Sequence, residues 1–247
     1  MLKIKSGIGD VLIAKMICKE NNIQESIEYD KSLVKQYRED SKSYYYFLNQ
    51  LTHTLFSKEN IKNDIKNNPD IYNLTHTIKD HSLSEYFNLK PVYDFDYIVF
   101  QTKGRFLRSF NLPENIKNIL EKKYLKLTSK YKIVLLGEKQ NQKNYENIYN
   151  ILENLKKNNE VIDMTTNHRL HVDAEWNLFM RDISILHYSK LNINIGLGGN
   201  FVMSTAFSQN TISYTHNDIH PYMDTLKPNT CFSNITEYFK FMEDIIR

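Results

Sequence analysis

Leu2 and Ile4 alternate with Lys3 and Lys5, a period of two, and the period then changes: Val11, Leu12, Ala14 and Met16 are spaced to lie along one side of a helix. The opening therefore predicts a strand, a turn through Ser6-Gly7-Ile8-Gly9-Asp10, and a helix. Asp10 stands where it would cap that helix or face a ligand, and Gly9 permits close approach of backbone. The same pattern recurs along the chain. Ser26–Tyr29 predicts a short strand, 31–56 one long helix or two shorter ones, Asp70–Asn73 a strand, and Ser82–Phe87 a short helical segment. Lys90-Pro91-Val92-Tyr93-Asp94 interrupts the pattern and predicts a connection between two parts of the chain.

The second half is more regular. Tyr97–Phe100, Tyr131–Gly137, Val161–Asp163, Leu191–Ile195 and Thr211–Tyr214 read as strands. Between them, helices are predicted after Pro113, over 144–157, over 174–187 with Trp176, Phe179, Met180 and Ile183 inward, and over Asn200–Phe207; Ile235–Ile246 predicts an amphipathic terminal helix. This alternation predicts an α/β fold with a mainly parallel sheet, flanking helices, and a ligand cleft at the C-terminal ends of the strands. The expected division is 1–92 as a small N-terminal lobe and 93–247 as a larger lobe, with the terminal helix crossing back as an open alternative.

Composition narrows the function classes. The 247 residues include 41% hydrophobic and 13% aromatic side chains, enough for a folded core. A net charge of +3, spread rather than clustered, argues against a nucleic-acid partner. Cys18 and Cys231 lie far apart and form no CxxC pair; two reduced thiols are the simpler reading, with a long-range disulfide left open. No signal-like or membrane-length apolar run is present, so a cytoplasmic location is expected, and the Asn73-Leu-Thr75 and Asn234-Ile-Thr236 sequons are expected to be incidental.

Several motifs invite chemistry that their surroundings do not require. His168, His171 and Asp173 are a weak metal candidate, and His216 and His220 are candidates for an acceptor pocket; helix capping, core packing and local hydrogen bonds account for such residues more often. Asp163 is placed to cap the turn before Met164. The cluster Tyr44-Tyr45-Tyr46-Phe47 and the single Trp176 read as core or surface aromatics on helices. No serine-centred hydrolase elbow and no Cys/His nucleophile arrangement occurs. No cofactor is implied.

Two glycine-bearing junctions remain, Gly7 to Asp10 and Gly196 to Asn200, each between a predicted strand and a predicted helix. With Val11-Leu12-Ile13-Ala14, the segment Tyr97 to Arg108, the strand-turn Ile133 to Gly137 and the stretch Leu191 to Phe207, they resemble the two-lobed sugar-nucleotide-dependent glycosyltransferases, closest to the heptosyltransferase-like (glycosyltransferase family 9) group. The resemblance implies two Rossmann-like β/α/β lobes of GT-B type with a reduced N-terminal lobe. It implies transfer of a sugar, with inversion, from a nucleotide-sugar donor to the hydroxyl of a glycan or glycolipid acceptor. Asp10 would be the catalytic base. Gly9, Thr102, Lys103, Arg105, Arg108, Gly137, Glu138, Gly198, Gly199 and Asn200 would border the donor, Glu138 at a ribose hydroxyl. Where the family carries an aspartate and a histidine near its last signature, this chain has glycine or leucine and Met203. A sugar-nucleotide epimerase, a noncatalytic nucleotide-sugar binding or assembly protein, a homodimer and peripheral association with a membrane-bound acceptor stay open.

Overall fold

The computed structural model describes residues 2–4, 8–21, 27–29, 41–56, 61–62, 82–102, 113–137, 151, 153–157, 160–166, 172–195, 199–214 and 231–245. Its strands are β1 (Leu2–Ile4), β2 (Ile27–Tyr29), β3 (Ile61–Lys62), β4 (Tyr97–Gln101), β5 (Lys132–Leu136), β6 (Val161–Asp163), β7 (Leu191–Ile195), β8 (Thr211–Tyr214) and β9 (Cys231–Phe232). Its helices are α1 (Ile8–Asn21), α2 (Ser41–Leu55), α3 (Glu114–Leu127), α4 (Val172–Tyr188), α5 (Gly199–Phe207) and α6 (Ile235–Ile245), with a 3₁₀ turn at Ser84–Tyr86. The expected α/β class is observed. The strands form a three-stranded sheet in the order β1-β2-β3 and a six-stranded sheet in the order β6-β5-β4-β7-β8-β9, and every pairing is parallel.

Numbered by their sequence within the larger sheet, its strands run 3-2-1-4-5-6. This is the doubly wound order, in which the chain winds outward first to one side of β4 and then to the other. The reversal puts the switch point, where sheets of this order form their ligand crevice, at the C-terminal ends of β4 and β7. Tyr97-Ile-Val-Phe and Ile133-Val-Leu-Leu are buried on both faces, which is why these strands are continuous apolar runs. Tyr97, Val99, Val134 and Leu136 pack in one cluster with α1, α2, α4 and α5; Ile98, Phe100, Ile133 and Leu135 pack in the other with α3, α6, Ile151 and Leu155.

The first of these clusters also joins α1 to the larger sheet. Val11 through Cys18 are all buried, so α1 has no solvent face along that stretch and packs most extensively against α5 of the larger unit. Lys15 lies in this interior with its Nζ 4.4 Å from the Tyr86 ring centroid and 5.1 Å from that of Phe56, geometry in which aromatic faces attract the cation. Phe47 and Trp176 meet in the same cluster at a ring separation of 6.0 Å, in keeping with core roles, while Tyr46 is exposed. The helices of the first 92 residues thus share their core with the larger sheet.

Two local expectations change. The first helix begins at Ile8, so Asp10 lies inside its first turn and is not its N-cap. The short helical segment expected over Ser82–Phe87 is observed as a 3₁₀ helix over Ser84–Tyr86. β3 and β9 were not foreseen, being two-residue strands with no periodicity to detect. The strand expected at Asp70–Asn73 and the helix expected over 144–150 lie outside the described residues. The terminal helix α6 packs on β8, β9 and α3, where the buried Tyr238 and Tyr124 hydroxyls meet at 2.9 Å. Cys18 and Cys231 are not joined by a disulfide; the first is buried and the second half-buried.

Candidate functional site at the sheet's switch point

The first turn of α1 and the first turn of α5 are in direct contact. A Cβ placed on Gly9 would stand 3.3 Å from the Gly199 Cα and 3.7 Å from the side chain of Val202, so only a hydrogen fits there without the two helix starts moving apart. Gly9 and Gly199, one from each glycine-bearing junction, thus lie backbone against backbone. Asp10 follows directly, 7% exposed, in the α1 first turn where a carboxylate is favoured by the helix dipole.

On the other side of Gly199, the first turn of α5 reaches the ends of β4 and β5. Asn200 donates its Nδ2 to Gln101 Oε1 at 3.2 Å. Thr102 sends both its backbone N–H (2.8 Å) and its hydroxyl (2.9 Å) to the Leu136 carbonyl, tying the end of β4 to the end of β5. Gly137 follows with φ +103°, and its carbonyl accepts from Thr166 N at 3.0 Å. A side chain on Gly137 would be strained and would point at the polar cluster, 3.0 Å from Asn200 Nδ2, 3.2 Å from Thr102 Oγ1 and 3.4 Å from Gln101 Oε1.

Of the residues expected to form a site, Gly9, Asp10, Thr102, Gly137, Gly199 and Asn200 are therefore brought together at the C-terminal ends of β4 and β5 and at two helix starts. Lys103, Arg105, Arg108, Glu138 and Gly198 lie outside the described residues, as do His168, His171, His216 and His220. Asp163 accepts from the N–H and hydroxyl of Thr165, as expected of a turn cap, and from Lys156 Nζ at 3.0 Å. Burial alone would raise its carboxyl, but these contacts hold it below the ordinary range. Among the described residues no group of three or more His, Cys, Asp or Glu side chains is arranged to hold a metal ion, and no helix is long and apolar enough to cross a membrane.

Sequence reasoning missed two polar residues. Gln101 ends an apolar strand and is 2% exposed; Asn194, its partner in the β4–β7 register, is 3% exposed. For Gln101 the available signal was a polar residue closing an otherwise apolar strand. A separate groove of about 670 Å³, lined by Tyr93, Asp94, Phe95 and Tyr188, lies at the opposite end of β4.

The fold and the site together define a doubly wound parallel α/β protein whose strand reversal is bordered by glycine-rich helix starts. No family model, curated protein or solved structure matches the chain.

Proposed function

We propose that this protein is a nucleotide-sugar-dependent glycosyltransferase of GT-B organisation, with residues 1–92 on the acceptor side and 93–247 binding the donor. The observation that carries this reading is the meeting of Gly9 and Gly199 at the β4–β7 switch point. That contact brings two helix starts together, and in the proposed site Asp10, in the first turn of one, works across from the N–H groups that open the other.

In the proposed reaction, Asp10 takes the proton of the acceptor hydroxyl as that oxygen attacks the anomeric carbon. The bond from that carbon to the donor's phosphate oxygen breaks, and its electron pair leaves with the nucleoside diphosphate. The N–H groups opening α5 and the cations Lys103, Arg105 and Arg108 stabilise the departing charge. Back-side attack inverts the anomeric centre. Glu138 is assigned to a ribose hydroxyl of the donor.

The test is incubation of the full chain with a nucleotide-sugar panel and a set of hydroxyl-bearing glycan and glycolipid acceptors, reading release of nucleoside diphosphate and formation of a glycoside. Glycoside formation that falls by about 10²-fold or more in D10N, with donor binding retained, is the expected result. Conversion of the donor into an epimeric nucleotide sugar selects the epimerase reading. Binding without turnover selects the noncatalytic one, and the absence of any nucleotide-sugar binding overturns all three.

A further inference from the structure

At the C-terminal ends of β4 and β7 stand two primary amides whose NH₂ groups have no partner among the described residues: Gln101 Nε2 and Asn194 Nδ2. They stand opposite one another in the parallel register. Their direction follows from their neighbours. Tyr97 donates its hydroxyl to the Ile185 carbonyl and Asn192 donates its Nδ2 to that of Leu186, so both point toward α4. Strand alternation puts Gln101 and Asn194 on that same face. The Asn200 Nδ2 bond to Gln101 Oε1 then fixes which end of the Gln101 amide is committed, leaving its donor end unpaired beside the second residue of α5.

An unpaired donor buried this deeply is costly, about as much as a lost hydrogen bond with nothing returned, and it is retained where something else supplies the acceptor. The switch point is accessible, with Gly199 exposed and Asn200 and Gly137 half-buried. The surroundings favour an anion as the acceptor: the nine-residue helix α5 begins here, with its first N–H groups unsatisfied by its own carbonyls.

We propose that Gln101 and Asn194 form a neutral two-amide cradle that receives a phosphoryl oxygen of a diphosphate ligand at the start of α5. This deepens the glycosyltransferase reading by naming what holds the phosphate, and rests on that reading only for the identity of the group attached to it. Neutral amides add directed donors to phosphoryl oxygens alongside the cations proposed for the same site. Changing either amide to an acid removes its NH₂ donor and sets a carboxylate against the phosphoryl oxygen, so it weakens anion binding.

The experiment is titration of the ¹⁵N-labelled full chain with inorganic pyrophosphate, following the side-chain NH₂ resonances of Gln101 and Asn194. Parallel titrations use inorganic phosphate and a nucleoside diphosphate to separate a free phosphate from a nucleotide as the source. Saturable shifts of both NH₂ pairs are expected. Q101E, which still offers an oxygen to Asn200 but removes the donor, is expected to weaken pyrophosphate binding by about 10- to 100-fold, as is N194D. Q101M, neutral and of similar length, serves if Q101E does not fold. NH₂ resonances that stay still at saturating pyrophosphate, or the absence of binding by all three probes, overturn the cradle. Shifted amides without turnover of any nucleotide sugar retain the cradle and overturn the transferase reading; turnover with unmoved amides does the reverse.

Discussion

Replacing Gly137 by alanine tests the geometry of the switch point with one methyl group. At φ +103° an L side chain costs about 1–3 kcal/mol in backbone strain. Alanine recovers about 0.4–1 kcal/mol because it narrows the unfolded ensemble. The new Cβ would lie 3.0 Å from Asn200 Nδ2, closer than a carbon and an amide nitrogen settle, so the Asn200–Gln101 bond lengthens or breaks, at about 0.5–1.5 kcal/mol. Net destabilisation of about 0.5–4 kcal/mol is expected. Urea unfolding measures it, read by far-ultraviolet circular dichroism and by the fluorescence of Trp176, the single tryptophan, which packs on Phe179 at a ring separation of 5.7 Å. The midpoint should fall with the slope unchanged. In an N200A background the same glycine replacement should cost less by the share that Asn200 contributes, since residues in contact are not additive. An unchanged midpoint in G137A, or an equal cost with and without Asn200, would refute the account of this corner.

Other substitutions probe separate parts of the molecule. Y124F and Y238F should each cost about 1–3 kcal/mol by stranding a buried hydroxyl, whereas the double variant should cost no more than the worse single one; strict additivity in thermal or urea unfolding would show that the two hydroxyls are not a pair. Burial pushes the Asp182 carboxyl up to about 6 even though Arg181 attracts it. Its folded-state value lies above the ordinary 3.8, so the folded protein binds this proton first on acidification. This group should therefore make the protein about 1 kcal/mol more stable at about pH 5 than at about pH 7, and D182N should flatten that part of the stability–pH curve; parallel curves for the two proteins would reject the assignment.

The sequence by itself determined the elements and their class. Runs such as Tyr97–Phe100 and Ile133–Leu136 are apolar because both faces of a parallel strand are covered, and the helix periods between them make crossovers the natural connection. It also marked the two glycine junctions, because a strand that turns at once into a helix leaves a local signature of small residues. Tertiary structure decided what those junctions touch. No local pattern could place Gly9 against Gly199, since their sequence separation is bridged only when α1 packs on α5. The same holds for Asn192 and Asn194. Alternation in Leu-Asn-Ile-Asn-Ile reads as a strand with one wet face, yet β7 lies between β4 and β8, and its asparagines are buried beneath helices. Alternation records which residues share a face. Whether that face meets water or a helix depends on where the strand falls in the sheet, and strand order is set by the long-range packing of the whole chain.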